Sequence, residues 1–406
     1  MLSWFRLVAV GVCFCLSLIR GLAAESDAVA ISETITARHM PYGTILDPFL
    51  DEEGNVTGYT RCGDSALWTG YYLAAESYRY KVTRDPQAFA NVYRALDGIL
   101  ELIRVTGSGL LARCYVPKDS PYAEGMLNEE KHSGIHEGTC LGQPCWWIGN
   151  TSRDQYIGAA FGLAVAAEMA DVDYVKTHIR NISILLLSKL MDDDWAVRMP
   201  DGSASTVFWQ RPDQKLSLLL AGRVAAPDYF ARPYSRARTF EGLIVMPPVA
   251  IDVAEPHESY FKFNLLAATF FHLLRQEPDG FYGDRYADAY AVFRRTVDGH
   301  GNAFFHMIDR AVRGPDERRD AETRDLLARW LQRPRTDLWI DNRERYAECG
   351  DNRACDVIPV EDRPRTDFLW QRSPFQMWGG LYGTIEGAGI DYTLPYWMGR
   401  YYGVLE

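Results

Sequence analysis

Asp64 and Asp154 are the two carboxylates best placed for chemistry. Each stands at the leading edge of a long apolar run, Asp64 before 66–80 and Asp154 before 157–169. Polar groups precede the other apolar runs in the same way: Arg211, Asp213 and Gln214; His257 and Glu258; His300, Asn302 and His306; Asp391. An apolar core has no use for such groups, whereas a ligand pocket does. One carboxylic acid that protonates a leaving oxygen, beside a second group that activates water or attacks the reacting carbon, is the minimum for glycosidic cleavage. Asp64 and Asp154 are the first pair for these roles, with Asp391 or Glu258 as substitutes. Both also have an ordinary use, because Asp before a helix is a favoured N-cap worth about 1 kcal/mol. Ser152 is available to cap the second helix, which leaves Asp154 in its first turn.

The groups expected to hold a ligand are Trp68, Trp147, Arg153, Gln155, Arg211, His257, His300, His306, Arg372, Asp391 and Tyr396. Carboxylates, amides, guanidiniums and imidazoles beside flat aromatic faces suit a sugar, whose ring carries hydroxyls at its rim and C–H groups on its faces. The tryptophans Trp68, Trp147 and Trp397 are candidate stacking platforms, although Trp at helical spacing also fills cores. A histidine or tyrosine base opposite an arginine clamp (Arg153, Arg211 or Arg372) would instead serve a lyase or epimerase acting on an acidic sugar. The expected partner is an oligosaccharide or polysaccharide.

Composition narrows the field. The chain has 406 residues, 47% of them hydrophobic, and a net charge of −11. It is long enough to bury a large core and carries no basic run of the kind that nucleic acid needs. None of G-x-x-x-x-G-K-[ST], GxGxxG with its acidic partner, H-E-x-x-H or G-x-S-x-G occurs, so no cofactor is implied. The stretch from Met1 to Ala24, with an apolar run of about 13 residues and small residues at its end, reads as a secretory signal cleaved after Ala24. It is shorter than the roughly 20 residues of a membrane span. A periplasmic or extracellular location is expected, with no membrane span once the signal is removed.

Six cysteines follow the signal segment, and an even number in an exported chain reads as disulfides. Cys140/Cys145 and Cys349/Cys355 suggest local clips, leaving Cys62 with Cys114. The spacing His132, His136, Cys140, Cys145 supports a competing zinc reading; the oxidising compartment favours bridges, and no metal is assigned.

The elements that must position these groups are helices of two kinds. Phe89, Val92, Tyr93, Leu96, Ile99, Leu100 and Ile103 recur at steps of three and four after an Asp85-Pro86 start, as do Val172, Val175, Ile179, Ile182, Leu186 and Leu190. Shorter examples fall at 286–297 and 327–331. Between them lie helices apolar nearly all round, at 66–80, 157–169, 261–274, 303–312, 392–402 and, with a poorer boundary, 216–224; such helices are covered on every side. Five or six covered helices alternate with four clear amphipathic ones. The expectation is a single all-α domain over 25–406: an (α/α)6-type toroid of helical hairpins with short irregular or β insertions. A short strand is predicted at 242–249, and the charged stretch 313–335 is read as a solvated outer face.

Three blocks carry a resemblance. Gly63-Asp64-Ser65-Ala66-Leu67-Trp68-Thr69-Gly70, then Trp147-Ile148-Gly149-Asn150-Thr151-Ser152-Arg153-Asp154-Gln155 with Phe161-Gly162-Leu163, and Gly389-Ile390-Asp391-Tyr392-Thr393-Leu394-Pro395-Tyr396-Trp397, resemble motifs of exported bacterial proteins that look like the six-hairpin glycosidase superfamily. That resemblance implies a helical toroid with a sugar-type pocket and leaves the reaction open among glycoside hydrolase, polysaccharide lyase and epimerase. The same ring without a competent carboxylate pair would be a glycan-binding or scaffold protein.

Overall fold

The computed structural model describes residues 23–350, 353–364 and 371–406. The leader up to Leu22, and Trp370, lie outside them. The protein is mostly helical. The described residues hold fourteen α-helices: α1 Glu25–Thr34, α2 Ser65–Thr83, α3 Pro86–Arg104, α4 Ala123–Glu129, α5 Arg153–Met169, α6 Asp173–Asp192, α7 Pro212–Ala225, α8 Pro227–Glu241, α9 Met246–Ala254, α10 Phe261–Gln276, α11 Gly280–Val297, α12 Ala303–Arg313, α13 Glu317–Trp330 and α14 Ile390–Tyr401. Among them no helix is long and apolar enough to cross a membrane.

The two compositions occupy two environments. In α2 every residue from Ser65 to Arg79 is buried, and in α14 every residue from Ile390 to Gly399. α3 buries one stripe, and its start is fixed as the sequence predicts, with Pro86 at the first position and the Asp85 carboxylate accepting from the Gln87 amide at 2.9 Å. Contacts between the covered helices run from α2 to α5, α7, α10, α12 and α14, and from α14 back to α2. α3 packs on α2, α6 on α5 and α7, α8 on α7, α11 on α10, α13 on α12, and α1 on α14.

The α2–α5 contact depends on three glycines. A Cβ on Gly70 would lie 2.0 Å from the Gly158 carbonyl oxygen, and one on Gly162 would lie 2.1 Å from the Gly70 carbonyl oxygen. Only hydrogen fits at either place, so the two backbones touch. The helices run in the same direction, with Asp64 and Gln155 meeting at their leading ends.

Short antiparallel ladders fill the connections. β1 Asp47–Leu50 pairs with β2 Val56–Thr60. β3 Cys114–Pro117, β4 Ile135–Cys140 and β5 Gln143–Ile148 form a sheet in the order β3-β5-β4. β6 Ala196–Arg198 pairs with β7 Ala204–Val207, and β8 Ile340–Asp341 with β9 Trp378–Gly379. Disulfides join Cys62 to Cys114, Cys140 to Cys145 and Cys349 to Cys355. The zinc reading loses both of its thiolates to the second bridge, and His136 stacks on Trp147 with centroids 4.2 Å apart.

Two expectations fail. Residues 242–249 form the turn after α8 and the start of α9, not a strand; a short apolar run does not by itself distinguish the two. The stretch 313–335 is only partly solvated. Arg319 is buried against Asp298 at 2.8 Å and Asp309 at 3.4 Å, the Arg333 guanidinium donates to the Val360 carbonyl, and that of Arg335 to the Gly387 carbonyl. Their partners come from other parts of the chain.

Candidate functional site

The leading ends of α2, α5 and α10 border a cleft of about 430 Å³, lined by Asp64, Arg113, Ser152, Arg153, Asp154, Thr206, Phe261, Leu265 and Gln371. Its size falls within the roughly 300–1,000 Å³ of small-molecule sites. Phe261 and Leu265, one turn apart on α10, supply its apolar wall.

Asp64 occupies the N-cap position of α2, yet its side chain makes no capping bond. The carboxylate instead accepts from two side-chain amides, Gln155 Nε2 on one oxygen and Gln371 Nε2 on the other, each at 3.3 Å. The carbonyl oxygen of Gln155 accepts from the Leu67 backbone amide at 3.0 Å, so one buried side chain both caps α2 and orients Asp64. Ser152 sits at the N-cap position of α5 without capping it, and its hydroxyl accepts from Arg113 at 3.0 Å. Asp154, in the first turn of α5 and half-buried, has no hydrogen-bond or ion-pair partner for its carboxylate among the described residues.

Arg153 is held by the Thr206 hydroxyl at 3.3 Å and the Val207 carbonyl at 3.2 Å. Burial, and next the Arg211 guanidinium, weaken its hold on its proton; Asp213, Asp154 and Asp252 pull the other way. Arg211 itself is committed to Asp213 and Asp252, at 2.7 and 2.8 Å. It supports the cleft from behind and does not line it.

The remaining expected residues sit elsewhere. His257 and His300 come together beside Phe375, which presents its ring edge-on to both at 4.8 and 5.4 Å. His257 Nδ1 is 3.2 Å from the Ser373 hydroxyl, and His300 Nδ1 is 3.0 Å from that of Tyr260. Burial, then the neighbouring His257 and Arg363, lower the His300 pKa to about 4. This cluster adjoins the cleft through the segment 371–375 without lining it. His306 faces α13, with Nδ1 3.3 Å from the Thr323 hydroxyl. Asp391 borders a separate cavity of about 40 Å³ with Asp47, Arg61, Arg333, Arg335 and Asp337. Tyr396 packs between Tyr392 and Trp397. Arg372 is exposed, between Gln371, which lines the cleft, and Ser373, which bonds His257.

Trp68 and Trp147 are 3% and 1% exposed, and Trp397 is fully buried. None of the three offers a free ring face. Trp147 belongs to β5 and donates to the Glu137 carbonyl.

Arg113, Ser152, Thr206, Phe261, Leu265 and Gln371 line the cleft without having been assigned to it from sequence. Arg113 leaves a visible mark, being the one charged residue in the apolar stretch 110–116. Gln371 leaves none, because its bond to Asp64 joins residues 307 positions apart in the chain.

The chain matches no protein-family model and no curated protein.

Proposed function

We propose that the protein is exported, that its six covered helices form the inner ring of an (α/α)6-type toroid with α1, α3, α6, α8, α11 and α13 outside, and that the cleft at their leading ends hydrolyses a glycosidic bond. The unbroken circuit of contacts from α2 through α14 and back to α2 supports the ring. Three disulfides and the expected leader support export.

One observation carries the reaction: two carboxylates share a cleft, one oriented by two amides and the other without a partner among the described residues. In this reading Asp154 is the acid that protonates the leaving oxygen, since no neighbour among the described residues competes for it. Asp64, fixed by Gln155 and Gln371, activates water or attacks the sugar carbon. Arg113 and Arg153 bind hydroxyls or a sugar carboxylate, and Phe261 and Leu265 meet the C–H face of the ring. Those two guanidiniums favour a second reading, a lyase or epimerase acting on an acidic sugar, although no histidine or tyrosine is among the residues described as lining the cleft.

The test is a panel of labelled neutral and acidic oligosaccharides with wild type, Asp64→Asn and Asp154→Asn. Hydrolytic turnover lost by about 10²–10⁴-fold in each variant, with thermal stability kept, supports hydrolysis. Unsaturated or epimerised products move the assignment to the second reading, and wild-type inactivity throughout leaves a glycan-binding protein or scaffold.

A further inference from the structure

Trp339 and Trp378 lie side by side at the ladder of β8 and β9, where Asp341 pairs with Trp378 and Ile340 with Gly379. Their ring centroids are 5.9 Å apart and inclined at 40°. Unlike Trp68, Trp147 and Trp397, they are 53% and 44% exposed, and Leu338, Leu381 and Tyr382 beside them are exposed as well. Large apolar side chains concentrated on a surface mark a binding site more often than isolated ones do. Polar groups flank the pair: Arg343 lies over one face of the Trp378 ring at 5.6 Å and forks onto Asp341, which leaves the opposite face for a ligand, and Gln376 donates to the Trp378 carbonyl.

We propose that Trp339 and Trp378 form a second glycan-binding platform, which makes the substrate a neutral polymer and not a free sugar. The inference rests on the carbohydrate reading of the cleft and extends it. Flat aromatic faces edged by hydrogen-bonding groups complement a pyranose, with its C–H faces and hydroxyl rim. The net charge of −11 disfavours an anionic chain.

The platform is tied to the cleft along both of its strands. Trp378 lies seven residues after Gln371, which bonds Asp64, so the two are within about 25 Å. Trp339 lies two residues after Asp337, which pairs at 2.5 Å with Arg61, itself three residues before Asp64. A polymer held in the cleft is long enough to span that separation, whereas a monosaccharide is not.

The test is retardation in native gels containing soluble β-glucan, xylan, galactomannan or dextran. It compares wild type with Trp339→Ala, Trp378→Ala, Trp378→Phe and Asp154→Asn, each checked by melting temperature. At least one polysaccharide should retard wild type and Asp154→Asn equally. Each alanine variant should bind it about fivefold or more weakly, Trp378→Phe should keep most of the affinity, and cleavage of short oligosaccharides should be unchanged in the platform variants. Retention of wild-type binding by both alanine variants overturns the platform and leaves the cleft assignment standing, as does a change of oligomeric state in those variants without loss of glycan binding. Absence of retardation of wild type by every polysaccharide also overturns it. Loss of turnover in Asp154→Asn is read separately, so the two assignments fail independently.

Discussion

Gly70 and Gly158 bring α2 and α5 into backbone contact, with a Cβ on Gly70 falling 2.0 Å from the Gly158 carbonyl oxygen. This approach sets the spacing of the two leading turns, and hence of Asp64 and Asp154. Neither neighbouring atom is the end of a flexible side chain, so a methyl group can be accommodated only by parting the helices. Gly70→Ala and Gly162→Ala should each cost about 2–4 kcal/mol in urea unfolding. Gly125→Ala, whose added Cβ meets nothing within 4 Å, should change stability by less than about 1 kcal/mol.

Gln155 and Gln371 hold the same carboxylate but should differ in what their loss does. Removing Gln155 strips an amide from Asp64 and also leaves the Leu67 backbone N–H without its acceptor. Gln155→Leu should therefore lower stability by about 1–3 kcal/mol as well as turnover. Gln371 is partly exposed, and Gln371→Ala should lower kcat with a smaller effect on KM and little change in melting temperature. Equal kinetic and thermal losses in the two variants would show that neither orients Asp64 specifically.

These two amides also show what the sequence could convey. The covered helices were legible because residues apolar all round can belong only inside, and the convergence of Asp64, Arg153, Asp154 and Gln155 was legible from repeated polar leading turns. α8 was not, being polar overall with Pro233 in its interior, and it holds on to the core through Phe230 and Tyr234 alone as buried residues. The ligand-holding roles expected of Tyr396 and Trp147 rested on proximity in sequence, whereas the side chains point into packed surroundings. His306 is four residues into its helix beyond Asn302, enough to turn it toward α13. Arg319, Arg333 and Arg335 looked solvated because their partners are remote in the chain, which periodicity does not encode.

Histidine burial makes stability depend on pH with two opposite signs. His300 and His306 are each lowered to about 4, chiefly by burial. Below about pH 6.5 the unfolded chain takes up protons that the folded chain refuses, so stability falls as pH drops from 6.5 toward 4. His39 is the reverse. Burial opposes its charge, but Asp47 at 3.3 Å and Glu386 at 3.5 Å outweigh it and raise its pKa. Its contribution is complete below 6.5 and fades as pH rises through the folded value. Melting temperature against pH should show a shallower decline between pH 6.5 and 4 in His306→Gln than in wild type, whereas His39→Gln should leave that acid limb unchanged and lose the decline that His39 gives wild type as pH rises above 6.5. Parallel curves for all three proteins would remove both histidines from the linkage.

The Cys62–Cys114 bridge ties the turn that carries Asp64 to β3, next to Arg113. It spans 52 residues of chain, and closing a loop of that length in the unfolded state is worth about 4 kcal/mol by chain entropy. The Cys140–Cys145 bridge spans only 5 and lies in the β4–β5 hairpin, away from the cleft residues. Cys62→Ser with Cys114→Ser should thus lower both melting temperature and turnover, because the segment bearing Arg113 and the turn bearing Asp64 then lose their covalent link and keep non-covalent contacts such as Ala66 N–H to the Arg113 carbonyl at 3.0 Å. Cys140→Ser with Cys145→Ser should lower stability less and leave turnover near wild type. Mass spectrometry of the unreduced protein should find all three bridges before either comparison is made, and equal loss of turnover in the two double variants would separate the Cys62–Cys114 staple from the geometry of the site.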